Sequence, residues 1–115
     1  MNMKIYHNAR CSKSRKALEI IKSRTSDFEI IEYLKKPLKF KEIKLLLSRL
    51  NKKPIELIRT KESIWKERYQ NKKMNDDEII RAIINHPKLM QRPIIKTPKK
   101  TIIGRDPENV IKLFN

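Results

Sequence analysis

Glycine and cysteine are almost missing from this chain: each occurs once in 115 residues. A single glycine excludes Gly-rich phosphate loops and dinucleotide fingerprints, which need several glycines at fixed spacing. A single cysteine excludes an internal disulfide framework, and equally a multi-Cys zinc site built by this chain alone. Aromatics are scarce too, with three Phe, three Tyr and one Trp. No apolar run approaches the roughly 18 residues that span a bilayer. Residues 1–6 lead into polar sequence rather than into the apolar core of a signal peptide. The expectation is one soluble, cytoplasmic domain with no membrane partner and no bound metal or cofactor, and nothing asks for more than a monomer.

Positive charge is what the chain has in excess. Lys and Arg number 29 against 13 Asp and Glu, a formal net charge of +16. Such a balance first suggests nucleic acid, because clustered cations supply the phosphate-contacting part of binding. Here, however, the lysines run from Lys4 to Lys112 without a long tract, amid abundant Ile and Asn. That mixture suits an AT-rich genome, and net charge by itself speaks only to solubility and non-specific association. Nucleic acid is therefore not the expected partner. Were it one, affinity would fall steeply with salt.

Periodicity outlines a mixed fold. Residues 3–7 form a strand candidate, followed by polar sequence through Ser12. Ala17, Leu18, Ile20 and Ile21 then recur at helical spacing, with Ser12 or Asn8 as candidate caps. Residues 28–33 read as a second strand, parallel to the first in a βαβ unit. Helical patterns follow over 39–50, from Pro54, over 63–69, and after Asn75, where Glu78 completes a capping-box spacing. His86-Pro87 stops that last helix. Residues 93–97 and 101–105 read as a hairpin, and Asp106-Pro107 opens a terminal helix. The order βαβ, helices, ββα predicts an α/β domain of thioredoxin-like shape with a four-stranded mixed sheet, flanking helices and a cis bond before Pro93.

Chemistry concentrates around Cys11. It follows a strand and directly precedes a helix, where unpaired backbone N–H groups favour an anion. Arg10, Lys13 and Arg15 surround it in sequence, and cations lower a thiol's pKa. Arg15, one turn into the helix, could reach back to the sulfur, and Ser14 could donate its hydroxyl. His7 ends the strand and either tunes the thiol or simply satisfies a strand end. A lone Cys is commonly an inert small apolar residue, but this one sits in an entirely polar, basic segment, which favours a reactive thiolate. Arg59, Arg92 and Arg105 stand apart from the lysine background, since a planar guanidinium suits oxyanion recognition. Singly, each reads as a surface charge.

The segment Tyr6-His7-Asn8-Ala9-Arg10-Cys11-Ser12-Lys13-Ser14-Arg15 has the pattern His-x3-Cys-x3-Arg. Ordered landmarks follow: Glu32-Tyr33-Leu34, Leu57-Ile58-Arg59, Asn85-His86-Pro87, Arg92-Pro93-Ile94 and Arg105-Asp106-Pro107-Glu108. Together they resemble the glutathione/glutaredoxin-linked arsenate reductases over nearly the whole chain. The resemblance implies a thioredoxin-like fold with a helical insert at about 39–86 and a cis peptide before Pro93. It implies reduction of arsenate, or a similar oxyanion, by a Cys11 nucleophile, with Arg59, Arg92 and Arg105 binding the oxyanion. Glutathione and glutaredoxin would be external reductants. The chain ends at Asn115, short of the C-terminal extension of longer members. The same family includes Spx-type transcription regulators that bind RNA polymerase, many with a Cys-x-x-Cys switch. Cys11-Ser12-Lys13-Ser14 cannot form that switch, which favours the reductase reading over a non-catalytic regulator.

Overall fold

The computed structural model describes residues 2–115. In chain order the elements are β1 (Met3–Tyr6), α1 (Ser12–Arg24), β2 (Phe28–Ile31), α2 (Phe40–Leu50), α3 (Ser63–Arg68), α4 (Asp76–Asn85), β3 (Ile94–Lys96), β4 (Thr101–Ile103) and α5 (Pro107–Lys112). Two short 3-10 turns, Pro54–Leu57 and Pro87–Leu89, flank the middle helices. The strands are one to two residues shorter than the apolar runs suggested, because each run continues into a loop where ladder pairing stops. The chain forms two compact units, one of residues up to Lys36 with Arg92–Asn115, the other Pro37–Gln91.

The first unit carries the sheet, in the order β2-β1-β3-β4. β1 and β2 run parallel, as the intervening α1 requires, while β3 is antiparallel to both β1 and β4. This is the thioredoxin-like arrangement the sequence led us to expect, and the Arg92–Pro93 bond is cis. Met3, Ile5 and Ile95 join Ala17 and Ile21 of α1 and Val110 of α5 in one buried cluster. Ile5 sits directly opposite Ile95 in the register, so the period-two alternation of two strands feeds a single core face. Toward the end of the chain Val110 is fully buried, whereas Ile111 and Phe114 are only partly so. α5 is short, and only one of its positions faces the centre of the sheet.

The lone glycine has a packing reason. Gly104 N–H donates to the Pro93 carbonyl at 2.8 Å. A Cβ there would stand 2.8 Å from Ile95 Cδ1 and 3.1 Å from Val110 Cγ2. Both neighbours are fully buried and have little room to yield.

The second unit is helical. Ile43, Leu46 and Leu47 of α2 and Ile79, Ile80, Ala82 and Ile83 of α4 are its buried faces. Ala82 belongs to that face, whereas Ile84 is only partly buried. Asn75 caps α4 as its spacing indicated: its Oδ1 accepts from Glu78 N–H at 2.9 Å, and Glu78 Oε1 accepts from Asn75 N–H at 3.0 Å. Asn51 closes α2 in the left-handed region at φ 55°, which Asn tolerates better than most residues. The Pro87–Leu89 turn allows residues 89–91 to run antiparallel to 57–59: Arg59 N–H bonds Leu89 C=O at 2.7 Å, and Gln91 N–H bonds Leu57 C=O at 2.8 Å.

Gly104→Ala should lower unfolding stability by about 1–3 kcal/mol through overpacking, read as a lower urea midpoint with unchanged m-value. Asn75→Ala should lose about 1 kcal/mol by uncapping α4, and Asn75→Ser should recover most of it in the same titration.

Candidate active site

The site is assembled at one edge of the sheet. β1 delivers His7, whose N–H still bonds the Ile31 carbonyl at 2.9 Å beyond the last paired residues. The chain then turns through Asn8–Arg10 before α1. Asn8 Oδ1 accepts from Arg10 N–H at 2.9 Å, and Asn8 C=O accepts from Cys11 N–H at 3.0 Å. Asn favours such local turns because its side chain imitates a backbone carbonyl. Neither Asn8 nor Ser12 caps α1, contrary to expectation. Asn8 is committed to the turn, and the N-cap position belongs to Cys11, with φ −95° and ψ 123°.

Cys11 thus places a sulfur where helices usually hold Ser, Thr or Asp. No side-chain hydrogen bond of ordinary cap geometry closes there. Burial alone pushes the thiol pKa up. The Arg92 guanidinium, which hydrogen-bonds the sulfur, and the backbone N–H groups of Ser14 and Lys13 outweigh that burial, and the net shift is downward. The physical cause is that a cation and oriented donors replace the hydration a thiolate loses.

Beneath the thiol lies a buried polar pair. Ser14 Oγ accepts from Asn8 N–H at 3.1 Å and lies 3.1 Å from His7 Nδ1. Ser14 is fully buried, and His7 and Asn8 nearly so. Burial lowers the His7 pKa, with Lys22 and Arg15 acting in the same direction and Glu32 against it. A neutral His7 therefore helps to fix the turn. The Ser14 hydroxyl is engaged by this turn, and it is the Ser14 backbone that faces the sulfur. Arg15 donates from its guanidinium to Ala9 C=O at 2.9 Å, tying the first turn of α1 to the loop. The guanidinium on the sulfur is that of Arg92, a partner no local spacing could reveal.

The register explains how Arg92 arrives. Ile94 pairs with Tyr6 on one side and with Ile103 on the other. Gly104 then bonds Pro93, so Arg92 and Arg105 leave the β3/β4 ladder side by side, next to the loop that follows β1. Arg59 belongs to the helical unit, where its guanidinium pairs with Glu62. Among the described residues no group of three or more His, Cys, Asp or Glu could hold a metal ion. No helix is long and apolar enough to cross a membrane.

Comparison with known proteins finds matches over nearly the whole chain. The ArsC family model matches residues 6–113. An arsenate reductase of Neisseria meningitidis is 36% identical over 110 residues, 94% of each chain. The uncharacterized protein YfgD of Escherichia coli is 38% identical over 113 residues, 96% of this chain and 95% of its own. Among solved structures, an arsenate reductase from Vibrio cholerae superposes with a TM-score of 0.90 at 33% identity, covering 97% of both chains.

The alkylation rate of Cys11 should inflect at a lower pH than a free thiol, and Arg92→Ala should move that inflection upward. Because the folded thiol ionises at lower pH than the unfolded one, the unfolded chain binds more protons across that interval. Stability from this source is therefore complete above the unfolded thiol's pKa and is lost as pH falls through the folded value. Urea unfolding as a function of pH should show a shallower rise for Arg92→Ala than for the parent.

Proposed function

The chain belongs to the ArsC family, and on that premise we propose that it is an oxidoreductase that reduces arsenate to arsenite through the Cys11 thiolate. The observation that supports this reading best is the lone thiol at the start of α1 with the Arg92 guanidinium on its sulfur. A thiolate so placed is a ready nucleophile, and the guanidinium beside it is a ready oxyanion partner.

In the proposed reaction the Cys11 thiolate attacks arsenic, a sulfur–arsenic bond forms, and one arsenate hydroxyl takes up a proton and leaves as water. Arg92 and Arg105 stabilise the charge on the remaining oxygens. Arg59, in the helical unit, carries the oxyanion role that the family resemblance gives it. The chain has no second cysteine, so a second thiol must come from outside, and glutathione is the proposed donor. Its thiolate attacks the Cys11 sulfur, a disulfide forms, and the sulfur–arsenic bond breaks with its electron pair passing to arsenic, which leaves as arsenite. A glutaredoxin dithiol then reduces the mixed disulfide and restores Cys11. His7 and Ser14 position the loop, and Arg15 holds it to α1. Two electrons per cycle come from thiols, with no bound cofactor required.

Cys11→Ser should abolish arsenate-dependent oxidation of glutathione. Arg92→Ala should lower kcat/KM for arsenate on the order of 100-fold, the cost of losing an oxyanion donor. Lys72→Ala should leave it unchanged, and equal effects of the two would remove the oxyanion role. Stable binding to RNA polymerase without arsenate turnover would instead favour a Spx-like regulator.

A further inference from the structure

A cleft of about 310 Å³ opens beside the Cys11 loop, lined by residues 7–10 together with Glu32, Leu34 and Lys35. We infer that this cleft seats the external thiol, and that it selects a thiol peptide carrying carboxylates and an ammonium group over a neutral thiol. The inference rests on the reading that Cys11 is turned over by an outside thiol.

In the sheet order β2-β1-β3-β4, the loop after β1 is flanked by residues that follow β2 and by residues that precede β3. Arg92, on the sulfur, and Arg105 come from the β3/β4 side. The cleft comes from the β2 side, where Glu32, Leu34 and Lys35 continue the chain past Ile31. Displacement at sulfur brings the incoming thiolate in opposite the group that departs. An arsenic group held on the arginine side therefore requires a thiol arriving from the other side, which is the side of the loop on which the cleft opens.

The lining fits the chemistry of such a thiol. Arg10 and Lys35 are exposed cations suited to two carboxylates. Glu32 is exposed and suits an α-ammonium. Its contact with Lys35 Nζ, 3.5 Å, is exposed and readily exchanged for a ligand's groups. Leu34 is 39% exposed and offers an apolar surface to methylene groups. Attack by the seated thiolate forms the sulfur–sulfur bond to Cys11 as the sulfur–arsenic bond breaks.

The test uses the reverse half of the same exchange and needs no arsenate. The Cys11 thiolate displaces one glutathione thiolate from oxidised glutathione, forming a mixed disulfide that is followed by intact mass. Bis(2-hydroxyethyl) disulfide serves as the neutral probe. Arg10→Glu and Lys35→Glu should each slow the glutathione reaction about tenfold through lost charge complementarity, with the neutral probe changed less than about twofold. Arg10→Gln and Lys35→Gln should show the same selectivity at smaller size. Lys16→Glu, on α1 and outside the cleft, controls for net charge and should change neither rate materially. Equal slowing of both probes, equal slowing by Lys16→Glu, or no slowing would overturn the assignment. Charge-selective exchange in a protein that does not turn over arsenate would uphold the cleft and remove the reductase reading.

Discussion

A thiolate partly withdrawn from water persists only where something replaces its lost hydration. At Cys11 that replacement is the Arg92 guanidinium, with the N–H groups of Ser14 and Lys13 in support. Hydrogen bonds to charged groups contribute roughly 1.5–3 kcal/mol, enough to offset the modest burial of a half-exposed thiol. Much of the remaining architecture can be understood as holding these groups in place. Ser14 must be buried to anchor the turn, Asn8 must close it, and β3 must start where it does for Arg92 to reach the sulfur.

The sheet supplies that last condition. Short strands carry little stability alone, but their register is fixed on both sides of β3 by Ile94, Ile95 and the Pro93–Gly104 bond. Both faces of β3 are covered, with Ile94 and Ile95 each fully buried, so a slip of one residue would bring Pro93 or Lys96 into one of two tightly packed positions. The glycine that seemed merely rare proves to be the point where β4 passes too close to Ile95 and Val110 for a side chain. It stands immediately before Arg105, and the same packing that requires it aligns the two arginines.

The large positive charge divides into distinct uses. Arg92 acts on the sulfur, Arg15 on the loop and Arg59 on Glu62. Others pack: Lys44 and Arg81 lie 5.6 and 5.1 Å from the centre of the Phe40 ring, and Lys72 lies 5.9 Å from that of Tyr69. These are long aliphatic stems and cations laid over the few aromatics, a packing role rather than a phosphate track. These six cations thus have local structural work that composition could not disclose.

The sequence by itself determined the elements and their order. Ala17 and Ile21 marked the buried face of α1, Asn75 and Glu78 marked the start of α4, and short extended runs bounded by turn signals marked the strands. Each of these signals is local, because helix and strand periodicity, caps and breakers act over a few residues. The position of Cys11 between a strand and a helix was equally legible, and with it the bias toward an anion. Only the tertiary structure decided which group caps α1, which arginine meets the sulfur, and that Ser14 serves the turn through its hydroxyl. Those outcomes depend on contacts between segments far apart in the chain, and sequence spacing carries no information about which cation will arrive at a given atom. Arg15 was near in sequence and found a carbonyl; Arg92 was distant and found the thiol, because the β1–β3 register brought it there.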